Sequence, residues 1–244
     1  MALTQTGEIL PGQLDRPLTM VDVAVFTVHE NRLEVLLVRR PNQAGEPFPN
    51  CWAFPGSFLD PRRDGNLEAC ARRTLLENAG VADLYLEQLG SWGSRDRDPR
   101  GWSSTHVYLA LTSDLGEAQG SSGSELARWF PLRGGAVKAP LAFDHKELLA
   151  AAVGRLRSKA EYTSLPVYLL PQEFTLTELQ RAFELVLGRT VEKSAFRSRI
   201  KAAQFIVEVP KLRLGQQRPA QLYRVRKPAE LVWFPRTFSP RTRD

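Results

Sequence analysis

Residues that hold metals or staple small folds are scarce in this 244-residue chain, which has two cysteines and three histidines. Cys51 and Cys70 are too few and too oddly spaced for a disulfide framework or a zinc knuckle. They read as a loop thiol and a buried helix thiol, in a reducing cytoplasm. His29, His106 and His145 lie far apart and lack metal-ligand spacing. No run approaches the roughly 18 apolar residues of a membrane span. The opening MALTQTGEILPGQ has no apolar core of a secretory signal. No membrane and no metal are therefore expected as partners. What is present is the composition of a soluble globular protein, 43% hydrophobic and 25% charged, with length for two modest domains.

The charge is unevenly spread. From Arg155 onward there are 18 Lys and Arg against 8 Asp and Glu; before it there are 15 against 19. Such asymmetry points the C-terminal part towards a polyanion, or else towards a merely basic, solvated surface.

Residues 1–18 read as a loose arm, 19–160 as a first domain, 161–227 as a second and 228–244 as a tail. The runs at 21–28 (VDVAVFTV) and 33–38 (LEVLLV) are apolar and β-branched, so both are expected as strands. Arg39 and Arg40 close the second, where two guanidiniums can offer bidentate forks to a phosphate or stand as solvated strand-end charges. A helix is expected from Asn66, its N-cap, to Ala79, with Gly80 as the glycine that ends it. Leu67, Cys70, Ala71 and Leu75 share its apolar face. Arg73, Thr74, Glu77 and Asn78 share another.

This stretch resembles the Nudix box, G-x5-E-x7-R-E-U-x-E-E-x-G-U with U aliphatic. Arg73, Leu75, Glu77, Gly80 and Val81 match from the C-terminal end. Thr74, Asn78 and Gly65 stand where three of the Glu belong, Ser57 takes the motif Gly beside Gly56, and Arg62-Arg63 read as an insertion. Nudix enzymes cleave diphosphates with magnesium, which needs several carboxylates in oxygen geometry. Thr74 brings no charge, Asn78 brings a neutral oxygen, and Arg73 can engage Glu77 as an i,i+4 ion pair. The resemblance thus implies a pocket without a catalytic residue set: Glu77 and Arg73 are remnants, and little or no hydrolysis is expected. The alternative is an active pyrophosphatase with an accessory domain, in which Glu77, Asp60 and Asp64 hold magnesium by a rearranged route.

Residues 92–102 read as a polar loop whose Arg97-Asp98-Pro99-Arg100-Gly101 is similar to the loop of Nudix proteins that handle ADP-ribose. Trp102 offers an indole for stacking, and Arg97 and Arg100 offer forks for a diphosphate. An exposed hairpin loop is the other reading. His106 begins the next strand (105–111) and either lines a pocket or is a core or surface histidine. The ligand set expected is Arg39, Ser57, Glu77, Arg97, Asp98, Arg100, Trp102 and His106. Residues 125–132 are expected as a strand. Asp144 with Glu147 three residues on is expected to cap a helix to about Lys159.

In the basic half, Thr175 and Glu178 form a capping box for a helix that Gly188 stops, with Leu176, Leu179, Phe183 and Leu187 inward. A second helix runs from about 192 to 204 with Phe196, Ile200 and Ala203 inward. Lys193, Arg197 and Lys201 repeat at i, i+4 and i+8 on its outer face. Strands at 205–209 and 220–225 flank a turn. Helix, turn, basic helix and hairpin is the order of a winged helix, whose second helix enters the major groove. Lys193, Ser194, Arg197, Arg199 and Lys201 are the expected DNA contacts on the helix, with Lys211, Arg213 and Arg218 on the wing.

Both halves together, with LLPQEFTLTELQRAFELVLGR and RPAQLYRV, resemble the Nudix-related transcriptional regulators of NAD metabolism over roughly residues 21–226. The fold implied is α+β: a Nudix-like α/β/α sandwich with a mixed sheet, then a winged helix. The resemblance implies a homodimeric repressor on a palindromic operator in double-stranded DNA. The effector implied is ADP-ribose or another NAD-derived nucleotide, with no cofactor required; relatives that answer to sugar-derived ligands leave it open.

Overall fold

The computed structural model describes residues 16–80, 84–114, 127–214, 219–227 and 230–235. β1 (Leu18–His29) is the middle of a seven-stranded mixed sheet. Its twelve residues alternate between two cores. Val21, Val23 and Val25 face one side, and Ala24 and Phe26 the other. A strand buried on both faces explains the nearly continuous apolar run. β1 starts three residues earlier than the apolar run, because Leu18, Thr19 and Met20 pair with Ser103, Ser104 and Thr105.

β2 (Arg32–Arg39) returns antiparallel to β1, β3 (Trp52–Ala53) adds to its outer edge, and β4 (Gly56–Phe58) pairs with the start of β1. α1 (Leu67–Ala79) follows, with the Asn66 side chain accepting from the Ala69 N–H at 2.8 Å. Gly80 ends it in the left-handed region at φ 65°, where glycine carries no Cβ penalty. β5 (Tyr85–Ser94) and β6 (Ser103–Leu111) form an antiparallel hairpin, and β6 runs parallel to β1. The ladder reaches Trp92, Gly93 and Ser94, opposite Thr105, Ser104 and Ser103. These three residues, expected in a loop, are strand, and the loop shortens to 95–102.

β7 (Arg128–Pro131) pairs with β2, within the expected 125–132. α2 (His145–Tyr162) packs its Leu148, Leu149, Ala152, Val153 and Leu156 against the sheet, opposite α1. The result is the expected α/β/α sandwich.

A 3-10 turn at Leu165–Leu169 joins this domain to the next, and its Leu165, Pro166, Val167 and Leu169 are buried. β8 (Phe174–Thr175) and α3 (Leu176–Leu187) follow. The Thr175 hydroxyl accepts from the Glu178 N–H while the Glu178 carboxylate accepts from the Thr175 N–H, the anticipated capping box. α4 (Lys193–Ala203), β9 (Ile206–Arg213) and β10 (Ala220–Val225) complete a winged helix, whose sheet order is β8-β10-β9. Phe174, Leu179, Phe183, Phe196, Ile200 and Phe205 fill its core.

The two domains share apolar packing. Val186 of α3 belongs to the core formed by α2 and the sheet, and Arg181 of α3 donates to Asn31 in the β1–β2 turn. Residues 230–235 close the junction. Ser164 N–H donates to Val232 O at 2.9 Å, and Phe234 N–H donates to Tyr162 O at 2.7 Å. Phe234 itself is buried among Phe183 and Phe205, while Trp233 stacks on Tyr162.

Candidate functional site

A cavity of about 240 Å³ opens where β1, β2, α1 and the first turn of α2 meet. Met20 and Asp22 of β1, Arg39 and Arg40 at the end of β2, Glu77 and Asn78 of α1, Arg97 and Asp98 of the hairpin loop, and Phe143 and His145 line it. Four of the eight expected ligand residues therefore meet there: Arg39, Glu77, Arg97 and Asp98. Ser57 turns to α1, with its hydroxyl 2.5 Å from that of Thr74. Arg100 lies over the Phe58 ring and holds Asp98 through two of its nitrogens at 3.0 and 2.8 Å. Trp102 is half exposed and outside the cavity wall. His106 sits within 2.8 Å of the Ser91 hydroxyl on the hairpin.

The floor is a buried charge network. Asp22 is the lone carboxylate in the apolar run of β1, and alternation puts it on the α2 face with Ala24. Its Oδ2 accepts from the Thr105 hydroxyl at 2.7 Å, with His145 Nε2 at 3.7 Å and Arg97 at 4.0 Å. Arg97 is engaged by Asp144, donating to both carboxylate oxygens at 2.9 Å. Asp144 is the residue before α2, yet it makes no side-chain cap. The expected capping box is absent because the arginine, 47 residues away in sequence, takes the carboxylate. His145 Nδ1 accepts from the Phe54 N–H at 2.9 Å, so the neutral ring carries its proton on Nε2, facing Asp22. Burial holds this imidazole below its ordinary pKa, against the opposing pull of Asp22 and Asp144.

On α1 the box residues are tied up with each other. Arg73 donates to both oxygens of Asp64 at 2.7 Å and to Glu77 at 3.1 Å. Arg63, from the two-residue insertion, grips the other Glu77 oxygen at 2.5 Å. The hydrogen bond from Arg73 holds Asp64 well below the usual carboxylate range, and that from Arg63 lowers Glu77. Thr74 is buried and donates to Cys70 O at 2.8 Å; Asn78 donates its amide to Thr74 O at 3.0 Å. These side chains do not fit magnesium. One carboxylate faces the cavity from α1, and two guanidiniums already neutralise it. Asp64, offered by the rearranged route, is bound on both oxygens, and Asp60 Oδ1 accepts from the Arg62 N–H at 2.9 Å. Among the described residues no three His, Cys, Asp or Glu side chains converge as a metal site.

The second site is the outer face of α4. Lys193, Ser194, Arg197 and Lys201 are all exposed. Phe196 and Ile200 anchor the opposite face, which fixes the stripe outward. Arg199, also expected there, is half-buried, and burial lowers its pKa against the opposing pull of Glu161 on α2. At the wing, Lys211 is paired with Glu173 at 3.1 Å and Arg213 with Glu178, so both charges are partly spent within the domain. Arg218 lies outside the described residues. Glu192, whose carboxylate accepts from the Ser194 and Ala195 N–H groups at 2.8 and 2.6 Å, caps α4 and puts a negative charge beside the stripe.

Asp22, Phe143, Asp144 and His145 went unselected as ligand residues from the sequence, and of the strand-end pair Arg39 and Arg40 only Arg39 was chosen. A single carboxylate inside VDVAVFTV was a usable signal for Asp22, and the strand-end arginine pair was one for Arg40; nothing local marked Phe143.

A Nudix-type sandwich with an arginine-lined cavity, joined through α2 to a winged helix, defines a Nudix-fold protein with a nucleic-acid reading head. Family models agree: a NUDIX domain matches residues 18–152, and an NrtR DNA-binding winged helix domain matches residues 166–225. The chain belongs to the NrtR family. It is 46% identical over 208 residues to the ADPR responsive transcriptional repressor NtrR of Acinetobacter baylyi, covering 85% of this chain and 82% of that protein. The crystal structure of Shewanella oneidensis NrtR complexed with a 27mer DNA superposes with a TM-score of 0.80 at 38% identity, covering 90% of this chain and 98% of that one. The NUDIX domain of the same protein, complexed with ADP ribose, superposes with a TM-score of 0.54 at 36% identity, covering 63% of this chain and 99% of that one.

Proposed function

We propose that this protein is a DNA-binding transcriptional repressor of NAD-metabolism genes, whose Nudix domain binds ADP-ribose without cleaving it. The observation that carries the reading is α2. Its first residue, His145, lines the cavity, and Asp144 just before it holds Arg97 of the cavity wall; its last turn carries Glu161, which accepts from Arg189 ahead of α4 at 2.8 Å. A ligand that shifts the first turn therefore acts on the base of the reading head. The DNA-bound and ADP-ribose-bound relatives support both halves.

Two copies on a palindromic operator place two α4 helices in successive major grooves, about 10 bp apart or multiples of it. Lys193, Arg197 and Lys201 meet phosphates or base edges. In the Nudix domain, Arg39 faces the diphosphate, Arg40 beside it is held by Glu46 at 2.8 Å, and the floor carboxylates orient the rest. The effector works only by binding one arrangement of the two domains better than the other. The protein acts in the cytoplasm, where the chromosome is.

The absence of hydrolysis is the second half of the proposal. Glu77 held by Arg63 and Arg73 is poor at holding a metal and poor as a base. The test is AMP release from ADP-ribose with magnesium, compared with Glu77→Gln. Equal, background release is expected. Turnover that Glu77→Gln abolishes would restore the pyrophosphatase.

A further inference from the structure

The floor of the cavity holds an acceptor that the protein leaves unused. Asp22 is 2% exposed. Its Oδ2 is committed to Thr105, but among the described residues Oδ1 accepts no hydrogen bond. Arg97, the nearest cation at 4.0 Å, is already bound on two nitrogens by Asp144. Gly56 is what leaves Oδ1 open. A Cβ at this position would stand 2.2 Å from that oxygen, and both residues line the cavity. A carboxylate oxygen at the cavity floor with no protein donor is an acceptor that a bound ligand's donor can fill.

We propose that Asp22 Oδ1 is a specificity-determining acceptor that reads the hydroxyls of the sugar lying beyond the diphosphate of a nucleotide ligand. The proposal rests on the ADP-ribose reading and deepens it. The charge arrangement gives the direction. Arg39 at the end of β2 suits an anionic diphosphate, with Arg40 beside it already paired with Glu46 at 2.8 Å, while Asp22 and Gly56 line the same cavity. A neutral sugar diol donates to a carboxylate in a charge-assisted bond. A ligand ending in phosphate instead brings a second anion to a buried carboxylate, where the low dielectric strengthens repulsion. Selection then works twice: the sugar gains a bond, and a terminal phosphate is rejected by charge. ADP-ribose and ADP share the adenosine diphosphate and differ in that sugar, so the pair isolates the contact.

Calorimetric titration of wild type, Asp22→Asn and Gly56→Ala with ADP-ribose and with ADP tests this on the full chain. Thermal melts check that each variant is folded. Asp22→Asn keeps the shape and removes the charge. Gly56→Ala puts a methyl 2.2 Å from Oδ1, so the Asp22 carboxylate must turn away and the acceptor is lost with its charge retained; this variant serves if Asp22→Asn does not fold. The expected result is about a ten-fold or larger loss of ADP-ribose affinity in either variant, with ADP unchanged or, in Asp22→Asn, bound more tightly. Unchanged ADP-ribose affinity, or equal losses for both ligands, would overturn the role of Asp22 and leave the effector reading standing. A wild-type protein that binds no ADP-ribose overturns the effector reading, and this inference with it.

Discussion

Neutralising Arg197 on the outer face of α4 should change the salt dependence of DNA binding by a calculable amount. Lys193, Arg197 and Lys201 are exposed, and none has a carboxylate partner among the described residues. Two copies on one operator present six such cations. If each neutralises a phosphate, log K should fall with log salt with a slope of about −5, or about a thousand-fold loss between 50 and 200 mM salt. Arg197→Ala removes two contacts and should flatten the slope by about 2. Lys211→Ala should flatten it less, because Glu173 holds that ammonium at 3.1 Å and must release it before a phosphate gains it. Fluorescence anisotropy of a labelled operator across a salt series measures all three slopes. A slope unchanged in Arg197→Ala, or flattened equally by Lys211→Ala, refutes the placement of α4 on the phosphates.

Three further outcomes follow from the geometry. Phe234→Ala should destabilise the winged helix by about 3–5 kcal/mol, since the ring is buried among Phe183 and Phe205; an unchanged denaturant midpoint would show that the tail is dispensable. Asp64 has its folded pKa depressed by Arg73, so the stability it contributes is present above the unfolded value near 4 and is lost as pH falls below that. Wild type should therefore lose stability between about pH 4 and 2 more steeply than Asp64→Asn, and parallel acid melts would count against the pair. Glu192→Asn keeps a capping side chain at α4 but removes a charge beside the stripe, so DNA affinity should rise a few-fold; weaker binding would mean that Glu192 itself reads a base.

Local chemistry was readable from the chain. Asn66 and Gly80 marked the ends of α1, Thr175 and Glu178 formed their box, and the i, i+4 stripe of α4 faces outward. Each depends on neighbours within one or two turns. Misreadings arose where a distant partner decided the outcome. Asp144 was expected to cap α2, but Arg97 binds it across the fold. The loop at 92–102 shrank because the β5–β6 ladder pairs Trp92 with Thr105. Trp233 and Phe234 had no local pattern to place them; the space they fill lies between Tyr162, Phe183 and Phe205.

Effector control is tested most directly by the reciprocity of the two ligands. Binding coupling must be equal in both directions, so the factor by which ADP-ribose changes operator affinity must equal the factor by which operator changes ADP-ribose affinity. An operator selected from random duplexes, titrated with and without saturating ADP-ribose, gives the first factor. Calorimetry of ADP-ribose with the free and operator-bound protein gives the second. Equal factors of about 5 to 150 are predicted. An operator affinity that stays the same at saturating ADP-ribose would contradict control by this ligand.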